Sequence, residues 1–518
     1  MRLKTGDLVA ALSVALALIP QAEAYAALAG VPARSGLYAA ALPPIVAAFF
    51  ASSRYLQTGP VAVTSILTFG ALATIAVPES AHYAALAALL ALMVGVGRVS
   101  FGLLRGGWIA YLMSQPVLLG FTTAAATLIM ISQIPTALGV HAPTESMIGA
   151  AWWSVTHVGA WEPASVVLTG VTILIILGGS RLHRLFPGVL VAVVVGVAYS
   201  IIAGYSGPTV GAMPTGLPPL SLDLPWDSIP ILLVPALVIA FVGFAEPTAI
   251  ARTFAAQDRE RWDPNREFLS QGVANLAAGL SGGMPVGGSF ARSAINRMAG
   301  GRTRWSGAIA GLLILAFLPF ANVLSPLPRA ILGAIVIAAV TQLISFGKLF
   351  QLVRTTRPQA LVAWITAGST IAFAPHVERA VIVGVILSIV VHIWRELPVG
   401  VTSWFAKGTL HLEPVGVLFF GSAPALDDAL LNELAAHPDA ERLVLHLGKL
   451  GRIDYSGALV LKSVTEEATQ AGLEVAVADV PPQAQRTLAG VLEGLSAGGE
   501  PPRPPGPTGA GSPSIRTR

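Results

Sequence analysis

GGMPVGGSFARSAINR, residues 282–297, sets the reading of this chain. It lies between two long apolar segments, yet it holds glycines, a proline, two serines and Arg292. A charged side chain near the middle of a bilayer is costly and usually faces a cavity or a partner. Glycine and proline here predict a broken membrane helix whose free amino end points into the protein. Such an end carries partial positive charge and unpaired N–H donors, which together favour an anion. One wall of an anion site is expected here, and the rest of the chain must supply the other.

Composition places the chain in a membrane. Its 518 residues are 54% hydrophobic and only 11% charged, against about 25% charged in soluble domains. It has no cysteine, which excludes disulfides and thiolate chemistry and leaves the redox compartment open. The net charge of +4 is carried by Lys and Arg in short loops, as the positive-inside rule requires, so nothing calls for nucleic acid. The first apolar run starts at Leu8, after Arg2, Lys4 and Asp7, and looks superficially like a signal peptide. Gln21 and Glu23 within it fit a retained, functional membrane helix better.

Apolar runs predict about fourteen spans, some of them short, at roughly 20 residues per full crossing. They fall near 7–28, 36–51, 59–77, 83–104, 112–134, 164–179, 186–204, 228–255, 266–281, 289–300, 305–323, 327–346, 358–374 and 377–396. With the N-terminus inside, the inner loops hold Arg54, Arg98 with Arg105, Arg181 with Arg184, and Arg259 with Arg261. Later inner loops hold Arg297, Arg302 and Arg304, then Lys348, Arg354 and Arg357. The outer loop 135–163 carries Glu145 and Glu162 and no Lys or Arg. An even number of spans returns the C-terminus to the inside.

The third and tenth spans share one irregularity. QTGP (57–60) precedes a helical run from Val61, and GGSFARS (287–293) precedes one from Ala294. Pro60 suits a first helical turn, where its missing N–H costs nothing. Seven spans separate the two places, and paired interruptions in matching positions of two halves point to a transporter's midplane site. An odd number of spans per half makes the halves inverted repeats.

After Arg395 the composition changes. From about Gly408 the order reads strand, strand, helix, strand, helix, strand, helix. Val415–Phe420, Leu443–Leu447 and Leu473–Ala478 suit buried strands, and Ala425–Ala436 and Gly457–Gln470 suit amphipathic helices. The expected division is a membrane part over 1–400, a small α/β domain over 408–495, and a disordered Pro/Gly-rich tail over 496–518.

These features resemble the sulfate permease (SulP) anion transporters, relatives of pendrin and prestin. The match rests on DLVAALSVALALIPQAEAYAALAGVPARSGLYAAALPPI (7–45), SSRYLQTGPVAV (52–63) and FLSQGVANLAAGLSGGMPVGGSFARSAIN (268–296), with RIDYSGALVL (452–461) resembling a STAS domain. The resemblance implies two inverted seven-span repeats. Spans 1–4 and 8–11 would form a core that moves against a gate of spans 5–7 and 12–14. It also implies a homodimer in the inner (plasma) membrane, a cytoplasmic STAS domain, and both termini cytoplasmic.

The same resemblance assigns site residues. Arg292 lies in the family's S-x-S-R-S motif, with Phe290 and Ala291 before it; many relatives have serine where this chain has Ala291. The backbone N–H groups of Phe290 to Arg292 are expected to matter as much as the guanidinium. Thr58 and Gly59 supply the opposing helix end. Gln21 and Tyr25, flanking a break in the first span after Pro20, line the cavity. Glu23 stands where many relatives have an apolar residue: ionised it would repel an anion, and protonated it would not. Glu246, in GFAEPTAIA (243–251), competes with it as the coupling group. Proton or sodium is the coupling ion, with Thr248 a further oxygen that more often bonds its own helix. A structural Glu23, bridged to Arg292, is the alternative.

Ser456, in DYSG (454–457), reads as a helix N-cap rather than a phosphorylation site. The histidines are scattered, with no metal or phosphate motif, so neither an enzyme, a cofactor nor a metal is expected. The reading is a secondary active transporter of a small anion (sulfate, bicarbonate or a dicarboxylate) coupled to protons. Exchange or sodium coupling, an anion channel, and a neutral nucleobase-like carrier on the same fold are the alternatives.

Overall fold

The computed structural model describes residues 5–107, 114–144, 146–182, 186–211, 216–396, 400–419 and 423–489. Glu145, Arg184 and the tail 496–518, each singled out above, lie outside these residues. Cα packing divides the chain into two compact units, Met1–Ser388 and Ile389–Arg518.

The first half of the helical part comprises α1 (Thr5–Ala29), α2 (Ala33–Phe50), α3 (Ala62–Leu72), α4 (Ala81–Leu103), α5 (Gln115–Leu138), α6 (Met147–Thr156), α7 (Pro163–Leu182) and α8 (Gly188–Ala203). The second comprises α9 (Ile229–Asp258), α10 (Pro264–Leu280), α11 (Phe290–Met298), α12 (Trp305–Phe317), α13 (Arg329–Val340), α14 (Phe346–Thr355), α15 (Arg357–Ala372) and α16 (Val377–Glu396). Every predicted span falls on a helix. The added helices α6 and α14 have 10 residues each, too short to cross, and their sequences read as loop. Among the described residues, seven helices are long and apolar enough to cross a membrane, and α3, α7, α8 and α13 are shorter apolar ones. This is a multi-span helical membrane protein.

The packing repeats between halves. α4 lies on α9 and α10, and its counterpart α12 lies on α1 and α2. The short helices α3 and α11 each touch both α1 and α9. Just before them run two short strands, β1 (Thr58–Gly59) and β2 (Gly287–Gly288), which pair antiparallel, Thr58 opposite Gly288 and Gly59 opposite Gly287. Antiparallel pairing of equivalent segments is what inverted halves require. A second set of contacts joins α5 to α13 and α15, and α13 to α7.

Small residues let these helices approach. A β-carbon on Gly95 of α4 would lie 2.7 Å from the Leu276 nitrogen of α10, and one on Gly272 would lie 2.6 Å from the Val99 nitrogen. Close backbone approach of this kind replaces the hydrophobic drive that lipid cannot supply.

Arg98 corrects the loop-charge reading. It lies fully buried on α4. Its guanidinium donates to the carbonyls of Ala240 (Nε, 3.1 Å), Ile239 (Nη2, 3.0 Å) and Val286 (Nη1, 3.0 Å). The apolar run of α4 extends past it to Leu103, so it is an interior pin that joins α9 to the extended segment before α11. At the end where α1 begins, Asp7 is also fully buried and accepts from the Arg302 and Thr303 N–H groups (2.7 and 2.9 Å).

The second unit is a mixed sheet of β3 (Gly400–Ala406), β4 (Thr409–Leu418), β5 (Arg442–His446), β6 (Leu450–Ile453) and β7 (Glu474–Ala478), with α17 (Ala423–Ala436), α18 (Tyr455–Gln470) and α19 (Gln485–Ala489). Its strand order is β3-β4-β5-β7, with β6 also on β4. The first strand begins at Gly400, ahead of Gly408, because residues 400–406 pair antiparallel with β4. Leu410, Leu412, Leu443 and Leu445 pack with Leu426, Leu430 and Leu461 of the helices. The N-cap of α18 is Asp454, whose carboxylate accepts from Gly457 N–H at 2.7 Å, and not Ser456. Ser456 sits inside the first turn, two residues past the cap position.

Strand alternation turns His411 to the face opposite Leu410 and Leu412. There Trp404 stacks on it at 4.9 Å, and its Nδ1 meets His446 Nε2 at 3.1 Å, while His446 Nδ1 meets Asp479 at 2.9 Å. Burial, and then the neighbouring His446 and Arg442, hold the His411 pKa below the ordinary histidine value. A depressed folded pKa means that the folded unit binds fewer protons than the unfolded chain. Stability present above about pH 6.5 is therefore lost on acidification. Thermal unfolding of residues 389–518 should show a midpoint that falls below that pH, and His411→Phe should flatten the dependence. In the membrane part, Arg98→Met should lower the unfolding midpoint of the detergent-solubilised protein, at a cost of about 3 kcal/mol for the lost charged hydrogen bonds.

Candidate anion site

Two extended segments enter the helical bundle and stop near its middle, and the helices that follow them begin there. Their backbone must be satisfied by the protein, since lipid offers no partners. Ser289 N–H donates to Gln57 O (3.1 Å), and Gln57 N–H donates to Ser293 Oγ (3.0 Å), which ties the segments to each other. Asn275 of α10 holds Val286 on both sides, accepting from its N–H (2.9 Å) and donating to its carbonyl (3.1 Å). Gln271, one turn earlier, donates to the Thr58 hydroxyl at 2.8 Å. α11 is capped by Ser289, whose hydroxyl accepts from Arg292 N–H at 3.4 Å.

A cavity of about 140 Å³ opens at the start of α11. Gln21 and Tyr25 of α1, Val61 and Ala62 at the start of α3, Glu246 of α9, and Ser289, Phe290 and Ala291 form one side. Ile176 of α7, Val189 of α8, and Ile335, Ala338 and Gln342, from α13 and the turn after it, form the other. The predicted residues Gln21, Tyr25, Glu246, Phe290 and Ala291 thus share one cavity, bounded by helices from both contact sets.

Arg292 does not line this cavity. It is fully buried and reaches the wall through Gln21, whose Oε1 accepts from Nη1 at 3.3 Å. Its Nε and Nη2 have no hydrogen-bond partner among the described residues. Gly59 lies beside it, where a β-carbon would sit 3.5 Å from Nη2. Glu246 and Tyr25 lie within Coulombic range of the same guanidinium. A buried cation with unpaired donors is costly unless an anion completes it.

Glu246 occupies the helix end itself: its Oε1 accepts from the Phe290 N–H at 3.2 Å. A carboxylate therefore already sits where the anion is expected. Thr248 gives its hydroxyl to the Phe244 carbonyl at 2.9 Å, as a helical threonine commonly does.

Other expectations change. α1 runs unbroken from Thr5 to Ala29 with Pro20 inside it; neighbouring helices shelter the carbonyl that the proline leaves free. Thr58 faces Gln271 rather than the cavity. Glu23 is fully buried, has no hydrogen-bond partner on either oxygen among the described residues, and lines a different cavity. The bridge from Glu23 to Arg292 is absent among the described residues. Sequence reading missed Arg98, Gln271, Asn275 and Ser293. The signal was there, since Gln271 and Asn275 stand four apart in an apolar helix, the spacing of one polar helix face.

Comparison with known proteins agrees with this architecture. Residues 5–366 match the sulfate permease family, and residues 405–492 match the STAS domain. An Arabidopsis thaliana protein named probable sulfate transporter 4.2 is 32% identical over 537 residues, covering 94% of this chain and 78% of that one. The murine solute carrier 26 family member A9 anion transporter, in an inward-facing state, aligns with a TM-score of 0.87 at 20% identity, over 95% of this chain and 88% of the other. The transmembrane domain of a cyanobacterial bicarbonate transporter, BicA, aligns at 0.65 with 25% identity, over 74% and 97%.

If Asn275 positions the start of α11, Asn275→Leu should leave Val286 N–H unpaired and weaken anion binding by about tenfold. Isothermal titration of the purified variant with sulfate checks this, and unchanged affinity would remove Asn275 from the site.

Proposed function

The chain belongs to the sulfate permease family, and on that premise we propose that it is a proton-coupled symporter of a small oxyanion held between the N-terminal ends of α3 and α11. As a member of the family it is an anion transporter. The observation that carries the finer reading is the Glu246 carboxylate on the Phe290 N–H. The helix end accepts a carboxylate of the protein, so it can accept one from solution, or a sulfate or bicarbonate.

That contact also supplies a coupling mechanism. Ionised Glu246 holds the N–H that an anion needs and offsets the charge of Arg292. Protonation removes the negative charge and frees the donor, so proton and anion bind in each other's favour; reciprocity follows from linkage. Arg292, with two unpaired nitrogens, and Gln21 then complete the anion's shell, with Tyr25 and Ala291 shaping the cavity and Gly59 letting the β1 backbone approach. Sodium would need several oxygens, and Thr248, the residue that could add one, is not among those lining this cavity. Glu23 faces away from this cavity and takes no part in the central step.

Two cavities support alternating access. Along α13, Ile335 to Gln342 line the central cavity, and Arg329, Leu332 and Gly333 line the one that Glu23 faces. α1 lines both, so the packed face of α1 and α13 stands between them. In this reading the core (α1–α4, α9–α12) moves against the gate (α5, α7, α8, α13, α15, α16), in a homodimer. Arg54, Arg105, Arg261 and Arg304 mark the cytoplasmic end, with both termini and the STAS domain on that side.

Uptake of labelled sulfate or bicarbonate into proteoliposomes should accelerate under an inward proton gradient. Glu246→Gln should keep anion binding and lose that acceleration. Arg292→Ala should weaken sulfate binding by about tenfold or more. Uptake that ignores protons but follows sodium or a counter-anion would contradict the coupling.

A further inference from the structure

The larger cavity, about 430 Å³, lies at the opposite end of the bundle from the basic loops. It is lined where α1 ends, where α2 and α13 begin, and by residues of α5. Basic residues are expected to be scarce at this end, yet Arg34 and Arg329 both line the cavity. Arg329 is engaged: Nε donates to Thr209 O at 3.1 Å, and Nη2 meets Glu79 at 3.3 Å. Glu79 is itself fixed, its N–H on Gly30 O at 2.7 Å and its φ at 63°. Arg34 is half-buried and has no ion-pair or hydrogen-bond partner among the described residues.

Arg34 sits in the first turn of α2, an 18-residue helix whose N-cap is Pro32 and whose end no side chain caps. Pro32 and Ala33 line the wall with it. Free helical N–H groups beside a free guanidinium bind oxyanions. The second observation is Glu23, fully buried among the lining residues, with neither oxygen hydrogen-bonded among the described residues. Its neighbours around the cavity are Arg34 from α2, Glu79 from the α3–α4 connection, Gln133 and Thr136 from α5, and Arg329 from α13. With Glu23 ionised the two arginines and two glutamates cancel; with Glu23 protonated the cavity carries one net positive charge.

We propose that this cavity is a second oxyanion site, separate from the central one, in which Arg34 and the first turn of α2 hold a small free oxyanion and protonated Glu23 admits it. An anion arriving from this side docks here before the core moves. The proposal rests on the anion-transport reading for the class of its ligand, and it assigns Glu23 a role that the central site does not use.

Equilibrium dialysis of labelled sulfate against the purified full chain tests it. The wild type should bind at two sites at acidic pH and weaken at both as pH rises, the central one through Glu246 and the other through Glu23. Arg34→Gln should weaken one site by about tenfold and spare the other. Arg34→Lys should restore much of the binding, which separates lost charge from lost folding. Glu23→Gln should hold the Arg34-dependent site across the pH range, while the central site keeps its own dependence through Glu246. Arg292→Ala should weaken the other site, the one insensitive to Arg34. One site in the wild type, or two that ignore Arg34→Gln, overturns the second site and leaves the central reading standing. A wild type that binds no sulfate overturns both.

Discussion

The structure depends on one constraint: polar backbone inside an apolar bundle must find its partners within the protein. Two chain segments run extended into the middle of the bundle, and each would be untenable alone. They are tenable together because β1 and β2 pair, and because Gln57, Ser293, Asn275 and Arg98 satisfy the groups beside them. The consequence is chemical. Once the segments are held, α3 and α11 must begin in the interior, and their first N–H groups face a cavity instead of water. The proposed anion site is thus the remainder of a backbone problem solved everywhere else.

In the proposed mechanism a protein carboxylate and an oxyanion compete for one donor, because Glu246 accepts from the Phe290 N–H where the anion would bind. The coupling proposed above needs no long pathway, because both ligands would meet at one helix end. The packed face of α1 and α13, with a cavity on either side, would give it a direction. Glu23 and Arg34 show that the far cavity has ionisable groups of its own.

Much of this was legible in the sequence because the strongest signals were violations of local rules. Arg292, Gly287 and Gly288 in an apolar stretch, and Pro60 after Gly59, stood out against their surroundings. Seven-span spacing then paired them. Arg98 was misplaced for the same reason in reverse: near the end of an apolar run it resembled a loop charge, and only packing shows three buried carbonyls around it. Glu23 and Gln21, two residues apart, were assigned to one cavity. On a helix such neighbours point in different directions, and the structure gives them different cavities. Thr58 was read as a ligand, since sequence alone cannot show that it packs on Gln271 and stays off the cavity wall. In the second unit, Asp454 and Ser456 are both good caps, and the backbone chose the first.

The most direct test of the central claim is a structure of the protein with selenate, a heavy-atom analogue of sulfate, located by its anomalous signal. The account predicts a peak at the start of α11, within hydrogen-bond reach of the Phe290 N–H and beside Arg292, with the Glu246 carboxylate moved off that nitrogen. A peak elsewhere in the bundle with Glu246 still bonded to Phe290 would contradict it.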